Sequence, residues 1–221
     1  MTTATAQNER VLYASATRYT DRASKAVYIA EKYRPILAGS VLDVGCDVAR
    51  LRDLVGDPAR YTGVDIQEGA DVVVNLDRDN LPFNGESFDT VVCTDVLEHL
   101  ERAPVMLDEL FRVARERAII SLPNPLACVI ESIAGGGRGR AKYYGLPEKA
   151  PVDRHRWFFS ATEAEEFVRA GAARNGFVPE QIDFEPATKY TWRDHTGRNL
   201  LDDPAVTRGT MWAVFRREPF R

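Results

Sequence analysis

Cysteine, histidine, methionine and tryptophan each occur only three times in 221 residues, and no apolar run approaches the eighteen or so residues a membrane span requires. The three thiols, Cys46, Cys93 and Cys128, are too few and too scattered for a disulfide framework or a CxxC metal knuckle, and are read as reduced and structural. The opening MTTATAQNER has no apolar h-region of a secretory signal, so a cytoplasmic, membrane-free protein is expected. Neither sign of charge is in excess. With 29 Lys and Arg against 33 Asp and Glu, the net charge of −4 offers no global field for a polyanion, and a nucleic-acid partner would need a local basic patch. What remains is 44% apolar and 28% charged, the balance of one globular domain over residues 1–221, with no internal repeat.

The apolar pattern changes period after Pro35. Residues 9–35 read as an N-terminal helical cap, with Thr20 or Asp21 as helix start. Short apolar runs then recur at 41–45, 61–66, 71–76, 88–94 and 117–122, separated by helical patterns at 48–55 and 103–115. A Ser160–Glu163 capping box opens a helix to about Arg174, and two last strands are expected at 177–184 and 209–216. This alternation predicts an α/β, doubly wound, Rossmann-like parallel sheet of seven strands with helices on both faces. Residues 123–159 break it with glycines, prolines and an aromatic-rich end, the composition of a lid or acceptor insertion after the fifth strand.

Ligands of such a sheet bind beyond the carboxyl ends of its strands. Asp43-Val-Gly45 ends the first strand in a tight turn, and Asp65 follows about twenty residues past that glycine, placed to accept from a ribose diol. VLDVGC, GVDI, DRDNLPF and FDTVVCTDVLEHL stand in this order between residues 40 and 124. That set resembles the class I S-adenosylmethionine (SAM) methyltransferases. The resemblance implies that Asp43 and Gly45 face the methionine part of SAM, that Asp65 binds the ribose hydroxyls, that Asp77 and the backbone of Arg78 contact adenine, and that Ile66 and Thr94 also belong to the cofactor site. Asp47 and Ala49 stand where the family usually has further glycines; both are residues the loop can tolerate. A dinucleotide dehydrogenase shares the glycine turn and acidic residue, but the missing glycines and the LPF and VLEHL motifs speak against it.

Asp95, Glu98 and His99 are spaced i, i+3 and i+4, so a helical turn after the fourth strand brings them to one face. Taken alone, Glu98 and His99 read better as packing and capping of the next helix than as functional groups. His155, in Asp153-Arg-His155-Arg-Trp157, adds a second of the three histidines to the same expected pocket. The combination resembles the metal site of the plant small-RNA 2′-O-methyltransferases. That resemblance implies Glu98, His99 and His155 as metal ligands, with Asp95 a shortened fourth, and His99, Asp95 or His155 as catalytic groups. Nitrogen and oxygen donors suit manganese, iron, cobalt or zinc on softness, whereas abundance and family resemblance favour Mg2+. His195 reads as a surface turn.

The insertion offers Arg138, Arg140 and Lys142 among glycines, a pattern open to an RNA contact or a solvated flap. Tyr143, Tyr144 and Trp157 present flat faces, and Arg154 and Arg156 hydrogen-bonding forks, for a saccharide. The PNPL and YGLP…DRHRWF runs resemble bacterial polysaccharide-cluster sugar O-methyltransferases, among them those of mycobacterial methylmannose polysaccharide. The resemblance implies methylation of a sugar hydroxyl in a small saccharide acceptor. Two alternatives stand beside it: a small-RNA 2′-O-methyltransferase, and a non-catalytic SAM-binding partner of a glycosyltransferase. A homodimer is left open.

Overall fold

The computed structural model describes residues 11–134, 143–146, 148–149, 154–187, 191, 193, 195–199 and 201–219. All seven expected strands form: β1 Val41–Val44, β2 Tyr61–Asp65, β3 Val72–Val73, β4 Phe88–Thr94, β5 Ala114–Leu122, β6 Phe177–Pro186 and β7 Arg208–Arg217. They make one sheet in the order β3-β2-β1-β4-β5-β7-β6. The pairs β1–β2, β1–β4, β2–β3 and β4–β5 are parallel. The sheet is mixed where a parallel one was expected: β7 is antiparallel to both β5 and β6, so it alone runs against the rest. The reversal goes with the connection: among the described residues of 187–207 the helix is the short α5 Pro204–Thr207, too short to cross the sheet and restore a parallel strand.

The central strands are buried on both faces, which is why they read as continuous apolar runs. Leu42, Val44 and Val91 face a core completed by α2 Ala103–Val113 and α4 Ala161–Arg174. Val41, Val92 and Trp212 face a second core completed by Tyr28 and Ile29 of α1 Arg22–Lys32. Gly171 sets how closely α4 approaches α2, because an added Cβ would lie 2.3 Å from Leu107 Cδ2. Ser160 and Glu163 form the expected capping box at the start of α4. Strand order reverses between β1 and β4, so the crevice for a ligand opens at the carboxyl ends of those two strands.

Four local expectations are corrected. Only the second half of 9–35 is helical. Residues 11–20 carry Ser15 and Thr17, whose hydroxyls bond Glu31 instead of supporting a helix, and Tyr13 and Tyr19 reach Glu180 and Glu185 of β6. The 48–55 helix shrinks to a 3₁₀ turn at Arg52–Leu54, since Asp47 (φ 51°) and Ala49 (φ 55°) occupy the left-handed region that a right-handed helix excludes. The helix expected over 103–115 stops at Val113, because Ala114 already belongs to β5. The 123–159 segment begins with an unforeseen helix, α3 Pro125–Ala134; Arg138, Arg140 and Lys142 lie outside the described residues.

Strain at Ala49 gives a stability prediction. A non-glycine residue in the left-handed region costs about 1–2 kcal/mol, partly offset on replacement by the greater freedom of glycine in the unfolded chain. Ala49→Gly is therefore expected to raise stability by about 0.5 kcal/mol, read as an increased urea midpoint at unchanged slope. A lowered midpoint would show that the turn is not strained there.

Candidate active site

The first half of the site is built by the turn after β1. Gly45 (φ 79°) and Cys46 donate their backbone N–H groups to Val64 O at 2.8 and 3.1 Å, tying the turn to β2. Asp65, at the end of β2, accepts from Asp47 N–H at 2.9 Å through Oδ2 and from Gln67 N–H at 3.0 Å through Oδ1. Its carboxylate is thereby fixed at the crevice, beside Ile66, which is 62% exposed and offers an apolar platform next to it. Asp43 is buried, and its Oδ2 accepts from the Tyr61 hydroxyl at 2.6 Å. Burial raises the Asp43 carboxyl to about 6, with the Tyr61 hydrogen bond opposing the shift. Asp77 accepts from Glu101 N–H at 2.7 Å, and Arg78 O from the Arg102 guanidinium at 2.6 Å; this pins the loop after β3 to the turn beyond β4. Thr94 ends β4, half-buried.

The second half lies just past β4. A 3₁₀ turn at Leu97–His99 presents Glu98, 1% exposed, and His99. His155 arrives from the segment before α4, itself tethered by Arg156 N–H donating to Glu98 O at 2.7 Å. One ligand atom from each of Glu98, His99 and His155 lies within 4.8 Å of the other two. The rings meet edge to face, with centroids 4.7 Å apart. His99 Nδ1 is 3.1 Å from Arg154 O, an acceptor only, so Nδ1 carries a hydrogen and Nε2, 3.9 Å from Glu98 Oε1, is the ring nitrogen left to serve as a ligand. His155 Nδ1 is 2.8 Å from the Tyr144 hydroxyl, whose own proton is held by burial. A carboxylate and two imidazoles, each imidazole hydrogen-bonded through Nδ1, form a mixed nitrogen and oxygen donor set that could hold a divalent ion.

These observations meet the comparisons with known proteins. Residues 42–122 match the family model of the methyltransferase domain. The fold is that of a class I SAM-dependent methyltransferase. Among similar solved structures, the putative methyltransferase in complex with the Haloferax volcanii Trm112 methyltransferase activator aligns with a TM-score of 0.55 at 18% identity, covering 90% of this chain and 91% of that one. A putative methyltransferase from Bacillus halodurans gives 0.52 at 12%, covering 90% and 99%. A SAM-dependent methyltransferase from Mesorhizobium loti gives 0.50 at 14%, covering 82% and 92%. At such identities the likeness is one of fold. No curated protein matches the chain.

Within this methyltransferase fold, the predicted residues divide into two groups. Asp43, Gly45, Asp65, Ile66 and Thr94 cluster along the ends of β1, β2 and β4. Asp77 and Arg78 border the same edge, but through groups already bonded to Glu101 and Arg102. Glu98, His99 and His155 come together, whereas Asp95 does not join them. Its side chain pairs with Lys25 of α1 and accepts from the Ser121 hydroxyl at 2.7 Å. Burial would raise the Asp95 carboxyl, but the Lys25 ammonium and those hydrogen bonds overcome it and hold it below the ordinary carboxylate range. A carboxylate so held is a weak base and an occupied ligand.

The insertion residues also change roles. Tyr143 stacks on His155 at 4.2 Å with the rings 2° from parallel, and Tyr144 bonds the same imidazole, so both tyrosines orient His155 instead of lying open to a sugar. Arg154 spends its guanidinium on Gly145 O at 2.7 Å and Tyr144 O at 3.3 Å, clasping that turn. Trp157 remains 45% exposed, its indole N–H donating to Leu100 O at 2.7 Å. His195 lies exposed in a turn, as expected. Sequence reading missed Lys25 and Arg22. Arg22 reaches Asp47 at 3.2 Å while Lys25 reaches Asp95, so α1 spans the loops after β1 and β4. The only signal was a lysine on the inward face of an amphipathic helix.

Proposed function

We propose that the chain is a SAM-dependent O-methyltransferase acting on a sugar hydroxyl of a small saccharide, a mannoside or a relative of one, with help from a divalent cation held by Glu98, His99 and His155. The observation that carries the reading is the convergence of these three side chains beside the β4 tip, at the strand ends where the fold binds its cofactor. SAM supplies an activated methyl group on a sulfonium, which leaves the protein to position and activate the oxygen. A divalent cation at the three donors would lower the pKa of an acceptor hydroxyl and fix two neighbouring sugar oxygens, with magnesium the expected ion and manganese its nearest substitute. Without the cation, the same His99 Nε2, whose Nδ1 is engaged by Arg154 O, would serve instead as general base. Asp65 and Ile66 are suited to the ribose and the adenine of SAM. Trp157 offers the acceptor a flat face. The acidic balance favours a neutral saccharide over RNA.

The test is methyl transfer from labelled SAM to simple and partly methylated mannosides and glucosides, with and without magnesium. At least one saccharide is expected to accept, with the rate falling about 100-fold on chelation and returning with magnesium or manganese. A full rate in metal-free buffer would remove the cation from the reading. Transfer to RNA and to no saccharide would replace the acceptor, and SAM binding without transfer to either would leave a non-catalytic partner.

A further inference from the structure

Beside the three donors the fold leaves a cavity of about 300 Å³. Leu97 and Leu122 close its base at the tips of β4 and β5, Pro104 stands at the start of α2, and Phe159, Ala164 and Phe167 bring the wall up along the start of α4. Trp157 and Phe158, at its mouth, are 45% and 56% exposed. Glu163, which also borders it, is committed to the Ser160 cap, where its Oε2 accepts from Ser160 N–H at 2.7 Å. Glu98 borders it as well, and its carboxylate belongs to the donor trio. The cavity and the candidate reaction centre therefore adjoin, with Glu98 as the side chain they share. A second hollow of about 360 Å³, bordered by Glu86, Arg112 and Arg217, lies at the opposite end of the sheet and is unconnected with this site.

An almost wholly apolar wall is a poor home for a sugar ring, whose hydroxyls would lose water without gaining partners. It suits a hydrocarbon group. We infer that the acceptor is amphiphilic: its reacting hydroxyl lies at Glu98, His99 and His155, and an aliphatic substituent attached to the same molecule fills the cavity between α2 and α4. This rests on the proposed sugar O-methylation for the polar half of the acceptor, but the cavity makes its own claim through binding.

The experiment compares methyl and n-hexyl α-D-mannopyranoside, below the micellar range of the latter, by calorimetry on the full chain with S-adenosylhomocysteine present. Two or three methylenes buried in the cavity should tighten binding on the order of 10- to 50-fold. Ala164→Leu, which fills the cavity, and Phe167→Gln, which makes its wall polar at a half-buried position, should each bring the hexyl-to-methyl ratio close to one. Using both variants guards against one failing to fold. Equal affinities, no binding by either glycoside, or a hexyl preference that survives in the folded variants would overturn the inference. Methyl transfer is measured on the same pair: a hexyl preference lost in the variants but without transfer to either glycoside keeps the cavity assignment and defeats the sugar O-methyltransferase reading.

Discussion

Replacing His155 by alanine is expected to lower methyl transfer by about 10²- to 10³-fold, with SAM affinity essentially unchanged. The split follows from where the residue sits. His155 reaches the site on the segment before α4 and meets Glu98 and His99 past β4, while the loops suited to SAM are held by bonds among Gly45, Asp47, Val64 and Asp65 that do not involve it. Loss of the imidazole removes one of three donors and leaves buried Glu98 with less compensation, so Glu98→Gln should be about as severe. Tyr144→Phe gives the graded case. It deletes the hydroxyl 2.8 Å from His155 Nδ1 but keeps the ring, and should cost about tenfold in turnover, with the magnesium concentration for half-maximal rate raised by a similar factor. A shift in metal dependence identifies Tyr144 as positioning the imidazole, since mere loosening of the fold would not produce it. Wild-type turnover in His155→Ala would take the residue out of the site.

The frame of this site was legible because buried parallel strands leave apolar runs that end at glycine or an acid, as at Val44-Gly45 and Val64-Asp65, and because ligands of such sheets gather at those ends. Histidine scarcity helped too: with three in the chain, two near expected pocket segments carried weight, and they do meet. What stayed hidden depends on contacts between distant segments. Asp95 looks like a free acid in DVLEH until Lys25, 70 positions earlier, is brought onto it. Tyr143 and Tyr144 look like sugar platforms until the turn folds them against His155. The 48–55 stripe looked helical because apolar spacing says nothing about φ; with Asp47 and Ala49 left-handed, Val48 ends up 65% exposed. The apolar cavity was invisible for the same reason, since Leu97, Phe159 and Phe167 each have an ordinary packing explanation until the fold sets them around one hollow with the starts of α2 and α4.

Gly45→Ala should damage both halves of the site at once. At φ 79° an alanine is strained by about 1–2 kcal/mol, and its Cβ would lie 2.2 Å from Val96 Cγ2, a distance no contact sustains. Relief requires either the turn after β1 or the turn after β4 to move. The first is anchored by Gly45 and Cys46 to Val64 O, and the second carries Asp95 and leads into Glu98 and His99. Adding about 1–3 kcal/mol for overpacking, the variant is expected to lose about 3 kcal/mol of stability. Its SAM affinity should fall by about 30-fold or more, because the backbone that lets the cofactor approach is displaced. Val96→Ala in the same chain separates the two causes. Removing the Cγ atoms abolishes the clash but not the strain at φ 79°, so the double variant should recover part of the stability lost by Gly45→Ala while remaining below Val96→Ala alone. Denaturant unfolding and calorimetric titration with SAM read these quantities independently. Strict additivity of the two substitutions would mean that the turns do not touch at this point, and the coupling of cofactor loop to the Glu98 and His99 turn would have to be abandoned.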